Sequence, residues 1–125
     1  MVTQINGLAG HTVGFTFTGE VTKEDYDNLI LPAVQRVTEL FSSVNLLLVI
    51  NTDLSNFTAG AWMKDAVLGL KNLTKFNRVA LVSNSHLVRN MTQMANLVVP
   101  GDYKFFLMTE ESEAMIWVSE SDGKL

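Results

Sequence analysis

The stretch NLLLVINT, residues 45–52, holds five consecutive apolar side chains with no alternation. A strand with one wet face alternates apolar and polar residues with a period of two. A strand that does not alternate is covered on both faces, as in the centre of a parallel sheet. RVALVSN at 78–84 has the same character, and YKFFLM at 103–108 reads as a last strand. Upstream, HTVGFTFTG at 11–19 alternates, with Val13, Phe15 and Phe17 on one face. With residues 2–6 it forms a strand pair at or near the sheet edge, its turn marked by Gly7 and Gly10.

Between these strands the apolar period changes to that of a helix. Thr22, with Asp25 three residues on, predicts a capping box. Leu29, Ala33, Val37 and Leu40 then follow helical spacing to about Phe41, and Pro32 either kinks this helix or ends one and starts another. Ala61, Trp62, Ala66, Leu70 and Leu73 predict a second helix over about 60–74. Leu87, Met91, Met94, Ala95 and Val98 predict a third over 86–98, and Thr109 caps a fourth over 110–118. The order β-β-α-β-α-β-α-β-α is that of an α/β sheet with helices on its faces, in a single domain spanning 1–125.

Composition limits the function classes. Of 125 residues, 47% are apolar and 18% charged, enough for a core and too apolar for disorder. The net charge is −4 and nine Lys and Arg are scattered along the chain, so no basic face for a nucleic acid is expected. Cysteine is absent, which removes disulfides, thiol nucleophiles and thiolate metal sites. The opening MVTQINGLAGH lacks the marks of a signal peptide, and no apolar run approaches the roughly 20 residues of a membrane span. A cytoplasmic protein is expected, with a peripheral place at a membrane left open.

Catalytic patterns are missing. His11 and His86 are far apart and have no metal-ligand spacing, and no phosphate-loop or nucleophile-elbow motif occurs. His86 fits a base at the strand ends or, more simply, a surface histidine at a helix start. No enzyme, metal or cofactor is expected. Interest falls on NTDLSNFTAGAWMKD, residues 51–65, the loop after a central strand, where open α/β sheets bind ligands. Thr58 or Ser55 fits a helix cap, and equally a phosphate acceptor beside a helix N-terminus. Phe57 and Trp62 fit either a hydrophobic lip or the core.

Several segments together resemble the SpoIIAA-like family of the STAS superfamily. They are GFTFTGEVTKEDYDNLILP, LLLVI, Phe57 with Gly60-Ala61-Trp62 and Asp65, NRVALVSN, and KFFLMTEESEAMIWV. The resemblance implies a mixed sheet of four to five strands flanked by about four helices. It implies a non-enzymatic regulatory or protein-interaction module acting through the loop and helix at 51–75. In anti-sigma antagonists of this kind a Ser in an Asp-Ser-Ser-Gly motif is phosphorylated. Phe57-Thr58-Ala59-Gly60 falls in that place, with Thr58 at the acceptor position and two of the four positions turned apolar. The same changes suit a carrier or sensor of a small hydrophobic or lipid ligand, lined by Phe57, Trp62 and Met63 with Leu87 and Met91 opposite. Phe57, Thr58, Trp62, Met63, Asp65 and His86 are the candidate binding residues, with Ser55 beside Thr58 for modification. An apolar loop on an acidic domain also suggests a homodimer.

Overall fold

In the computed structural model the described residues are 1–57, 76–98 and 101–120. The strands are β1 (Val2–Ile5), β2 (Thr12–Thr18), β3 (Val44–Asn51), β4 (Phe76–Val82) and β5 (Asp102–Phe106), in one sheet ordered β1-β2-β3-β4-β5. β1 runs antiparallel to β2, and the other three pairings are parallel. Three helices lie among the described residues. α1 covers residues 23–40, α2 is His86–Val98 and α3 is Glu111–Ser119. The expected helix at about 60–74 lies outside the described residues.

Each parallel crossover steps one strand in the same direction. Right-handed crossovers then place their helices on one face of the sheet. α1 and α2 both pack there. Ile30, Ala33 and Val34 of α1 and Val88 of α2 share a cluster with Val13, Phe15, Phe17, Val44, Leu46, Ile50 and Val79. α3 closes the opposite face, where Ala114 and Val118 meet Leu47, Val49, Ala80, Val82 and Phe106. β3 thus sends alternate residues into two cores, and this is why its sequence does not alternate. β2 is large on one face only. On the other, Gly14 lets the β1–β2 connection lie across the strand: a Cβ there would sit 2.8 Å from Leu8 Cδ1 and 3.2 Å from Leu47 Cβ.

α1 begins with the expected capping box. Thr22 Oγ1 accepts from the Asp25 N–H at 3.2 Å and Asp25 Oδ2 accepts from the Thr22 N–H at 3.0 Å. Thr22→Ala removes one of these bonds and is expected to lower stability by about 1 kcal/mol. A urea melt of the two proteins measures it, and an unchanged midpoint would contradict the cap. The helix then runs as one turn Lys23–Asp25, a π-helical turn Tyr26–Ile30 and regular helix Leu31–Leu40. Pro32 explains the wide turn. It has no N–H to give Asn28, so the ladder opens just before it, and the Leu31 N–H reaches back to the Tyr26 carbonyl. Pro32 then sits in the first turn of the regular segment, so the helix continues past it.

Both tyrosines of the chain titrate above their ordinary value of 10.0. Burial raises Tyr26, with a further push from the Asp27 carboxylate, and burial raises Tyr103. The unfolded chain therefore loses these protons first as pH rises, and stability declines from about pH 10 upward. Phenolate absorbance of the native protein is expected to appear at higher pH than that of the urea-unfolded chain. Tyr26→Phe should make thermal stability fall less steeply above that pH. Superimposed native and unfolded titrations would overturn the assignment.

The end of α3 is held by polar groups that the sequence did not single out. Asn45 is 1% exposed, beside the register shift between β3 and β4. Its Nδ2 donates to the Val118 carbonyl at 2.7 Å and its Oδ1 accepts from the Arg78 N–H at 3.1 Å. Arg78 Nη1 donates to the Trp117 carbonyl at 2.7 Å, and its guanidinium lies 5.1 Å from the Trp117 ring centroid. These donors satisfy carbonyls that a helix C-terminus leaves open. At the other end of α3, Thr109 is not the cap. A 3-10 turn, Met108–Glu110, precedes the helix, and Glu110 Oε1 accepts from the Leu107 N–H at 2.8 Å. Thr109 is the middle residue of that turn, so it does not stand at the N-cap position of α3, which Glu110 occupies.

Candidate functional site

The carboxyl ends of β3 and β4 frame an open cleft of about 240 Å³, lined by Ile50, Asn51, Thr52, Ser83, Asn84, Ser85 and Met108. On the β3 side the chain turns through Leu54–Asn56. Asp53 sets this turn: its Oδ1 accepts from the Ser55 N–H at 3.2 Å and its carbonyl from the Asn56 N–H at 2.9 Å. Thr52 Oγ1 donates to the Gly19 carbonyl at 2.8 Å and accepts from Asn56 Nδ2 at 2.9 Å. The Val21 N–H donates to the Asn56 carbonyl at 2.9 Å. The loop is thereby tied to the turn that enters α1.

On the β4 side Ser83 is buried and extends the ladder to the Phe106 carbonyl at 3.0 Å. Ser83 Oγ accepts from the Ser85 N–H at 3.1 Å, and Ser85 Oγ from the Val88 N–H at 3.4 Å, which caps α2. Asn84 Oδ1 accepts from the Met108 N–H at 3.1 Å. Hydroxyls and amides line the cleft, so its chemistry is hydrogen bonding. The lining holds no side chain that exchanges a proton near neutral pH. Among the described residues, no three His, Asp or Glu side chains are placed to hold a metal ion.

Beyond the cleft, α2 carries an apolar stripe. Val88 and Thr92 are buried against the sheet, while Leu87, Met91, Met94 and Leu97 are 56%, 49%, 60% and 80% exposed. Asn96 fixes the rotation of the helix. It bonds both backbone groups of Tyr103 on β5, at 2.6 and 2.9 Å. At 100° per residue, Leu87, Met91 and Met94 lie on the opposite side of α2, turned toward the middle of the sheet.

The structure separates the sequence candidates. Phe57 belongs to the core: it bridges to Val21 and packs on Phe17, ring centroids 5.7 Å apart. Ser55 is exposed on its turn, and His86 is exposed at the first residue of α2. His11 lies before β2, at the other end of the parallel strands, against Phe41 at 6.2 Å. Leu87 and Met91, expected to line an apolar cleft opposite Phe57, Trp62 and Met63, are both exposed on α2. Thr58, Trp62, Met63 and Asp65 lie outside the described residues. Sequence reading missed Asn51, Ser83, Asn84 and Ser85, although a polar SNS directly after a buried strand is the available signal.

A mixed five-stranded sheet with helices on both faces defines an α/β domain, with a cleft at the carboxyl ends of its strands. The profile of the SpoIIAA-like family matches residues 12–119, and the chain belongs to that family. It is similar in fold to an uncharacterized DUF3478-family protein with a SpoIIAA-like fold from Shewanella loihica PV-4. The two share 23% identity with a TM-score of 0.62, over 94% of this chain and 92% of that one. No curated protein matches the chain. Among the described residues no helix is long and apolar enough to cross a membrane.

Proposed function

We propose that this SpoIIAA-like domain is a non-enzymatic interaction module. It works through the segment at 51–75 and through the exposed face of α2. The observation that carries the reading is the row Leu87, Met91, Met94 and Leu97, left half to four-fifths in water on a well-formed helix. Exposed apolar surface gathered in one place marks a contact site far more often than apolar residues scattered singly. Methionine suits such a surface, because its flexible thioether adapts to the facing side chains. The cleft beside it offers hydrogen-bond partners and no acid–base pair, which fits recognition rather than catalysis.

A second reading, a carrier of a small apolar or lipid ligand, is favoured by one observation. Leu48 and Leu81, on the central strands of the face that α1 and α2 share, are only partly buried. The α2 stripe is turned toward them. Native mass spectrometry of the gently purified protein separates the two readings. The interaction module predicts masses of protein assemblies that are lost in Met91→Glu, and no small adduct. A retained adduct of a few hundred daltons, absent from that variant, would replace it with the carrier.

A further inference from the structure

β5 is the last strand of the sheet, so its outer edge has no neighbouring strand among the described residues. Along a strand paired in parallel, the backbone groups of successive residues point to alternate sides. The Phe106 carbonyl accepts from the Ser83 N–H and so faces β4. The backbone groups of Tyr103, Phe105 and Leu107 then face outward. An open edge of this kind is a template for another strand. The segment YKFFLM, 103–108, invites one: it has three aromatic residues, a Leu, a Met and a single charge, with no Pro or Gly.

Side chains occupy this edge. Asn96 of α2 treats Tyr103 as a neighbouring strand would. Its Nδ2 donates to the Tyr103 carbonyl at 2.6 Å and its Oδ1 accepts from the Tyr103 N–H at 2.9 Å. A side-chain amide offers the donor and the acceptor of a peptide group, and here both are spent on one residue. Beyond the strand, Glu110 Oε1 accepts from the Leu107 N–H at 2.8 Å. The run that a strand could use therefore reaches only from Tyr103 to Phe105, and Asn96 takes one of its two positions. Asn96 is exposed, so water could serve the Tyr103 groups in its place. What the amide adds over water is that it holds the position against another backbone.

We infer that Asn96 closes the outer edge of β5 to strand addition, and that the strand it keeps out is β5 of a second copy. Two such edges laid antiparallel about Lys104 set Tyr103 of each copy opposite Phe105 of the other, so the edge is its own complement. Lys104 itself lies over the Phe106 and Trp117 rings of its own chain, at 5.2 and 5.8 Å from their centroids. With Tyr103 bonded to Asn96, both rungs of that pairing are blocked. This inference goes beyond the reading of the α2 stripe and does not depend on it.

Hydrogen exchange and sedimentation velocity test it. In the unmodified chain the Tyr103 N–H is expected to exchange several-fold more slowly than the Phe105 N–H on the same edge. Phe105 as slow as Tyr103 would mean that something else covers the edge, and overturns the inference. Asn96→Ala should equalise the two in dilute solution. At high micromolar concentration it should form a dimer roughly tenfold or more tighter than any formed by the unmodified chain, with the infrared band of intermolecular antiparallel strands. Asn96→Asp also loses the donor to the Tyr103 carbonyl but leaves a carboxylate on the edge, where charge resists pairing. It should sediment as the unmodified chain does. An Asn96→Ala chain that sediments like its parent overturns the inference. So does equal association of the Ala and Asp variants, since a loosened α2 rather than an open edge would then be the cause.

Discussion

Phe15→Ala is expected to destabilise the domain by about 4 kcal/mol, a value typical of deleting a fully buried aromatic ring. Phe15 is 0% exposed and lies at the middle of β2, paired with Gln4 on one side and Leu48 on the other. Its ring fills the core under α1 together with Val13, Phe17, Val34 and Leu46. These neighbours are held by strand pairing and cannot collapse into the space, so the cavity remains. Chemical denaturation of parent and variant measures the loss. A change below about 1 kcal/mol would mean that the cluster is not close-packed around this ring.

Asn45→Ala is expected to cost about 3 kcal/mol, which lowers the melting temperature by roughly 10 °C in a domain of this size. The residue is an amide among apolar neighbours, and both ends of it are used. Alanine fills the strand equally well but leaves the Val118 carbonyl and the Arg78 N–H poorly satisfied. The orphaned groups, rather than the lost bonds alone, set the magnitude. Thr12 provides the comparison. Its hydroxyl reaches the same Val118 carbonyl at 3.4 Å, a long contact, so Thr12→Val should cost less than about 1 kcal/mol. Equal effects from Asn45→Ala and Thr12→Val would show that Asn45 is not the group holding α3 in place.

The elements legible in the sequence are those set by periodicity over a short span. The unalternating 45–52 marked a strand covered on both sides, and β3 does feed two cores. Thr22 and Asp25 announced their cap because a capping box is wholly local. Pro32 announced a disturbance in α1, but a wide turn, a kink and a stop all answer a missing N–H, and only packing chooses among them. Asn45 looked like the edge of an apolar run. Its importance depends on Arg78 and Val118, which are 33 and 73 residues away in sequence, and no local pattern encodes such a meeting. Phe57 carried an ambiguous signal for the same reason, since a lip and a core position share one residue type and only its contact with Phe17 decides. The apolar series Leu87, Met91 and Met94 of α2 was legible, but not the face that packs, which is made by Val88 and Thr92. Which residues of α2 face the sheet follows from the rotation that Asn96 sets by bonding the Tyr103 backbone.

The central claim is that the apolar stripe of α2 is open in the lone chain and is a surface that a protein partner covers. Methionine oxidation read by peptide mass spectrometry tests this most directly, because the thioethers of Met91 and Met94 are themselves the surface. Met1, 67% exposed, serves as the fast reference, and the partly buried Met108 and Met115 as the slow ones. Met91 and Met94 are expected to oxidise nearly as fast as Met1 in dilute solution and several-fold slower once a protein partner is bound. Met91 and Met94 as slow as Met108 and Met115 at every concentration would contradict it, since the stripe would then be covered within the chain itself.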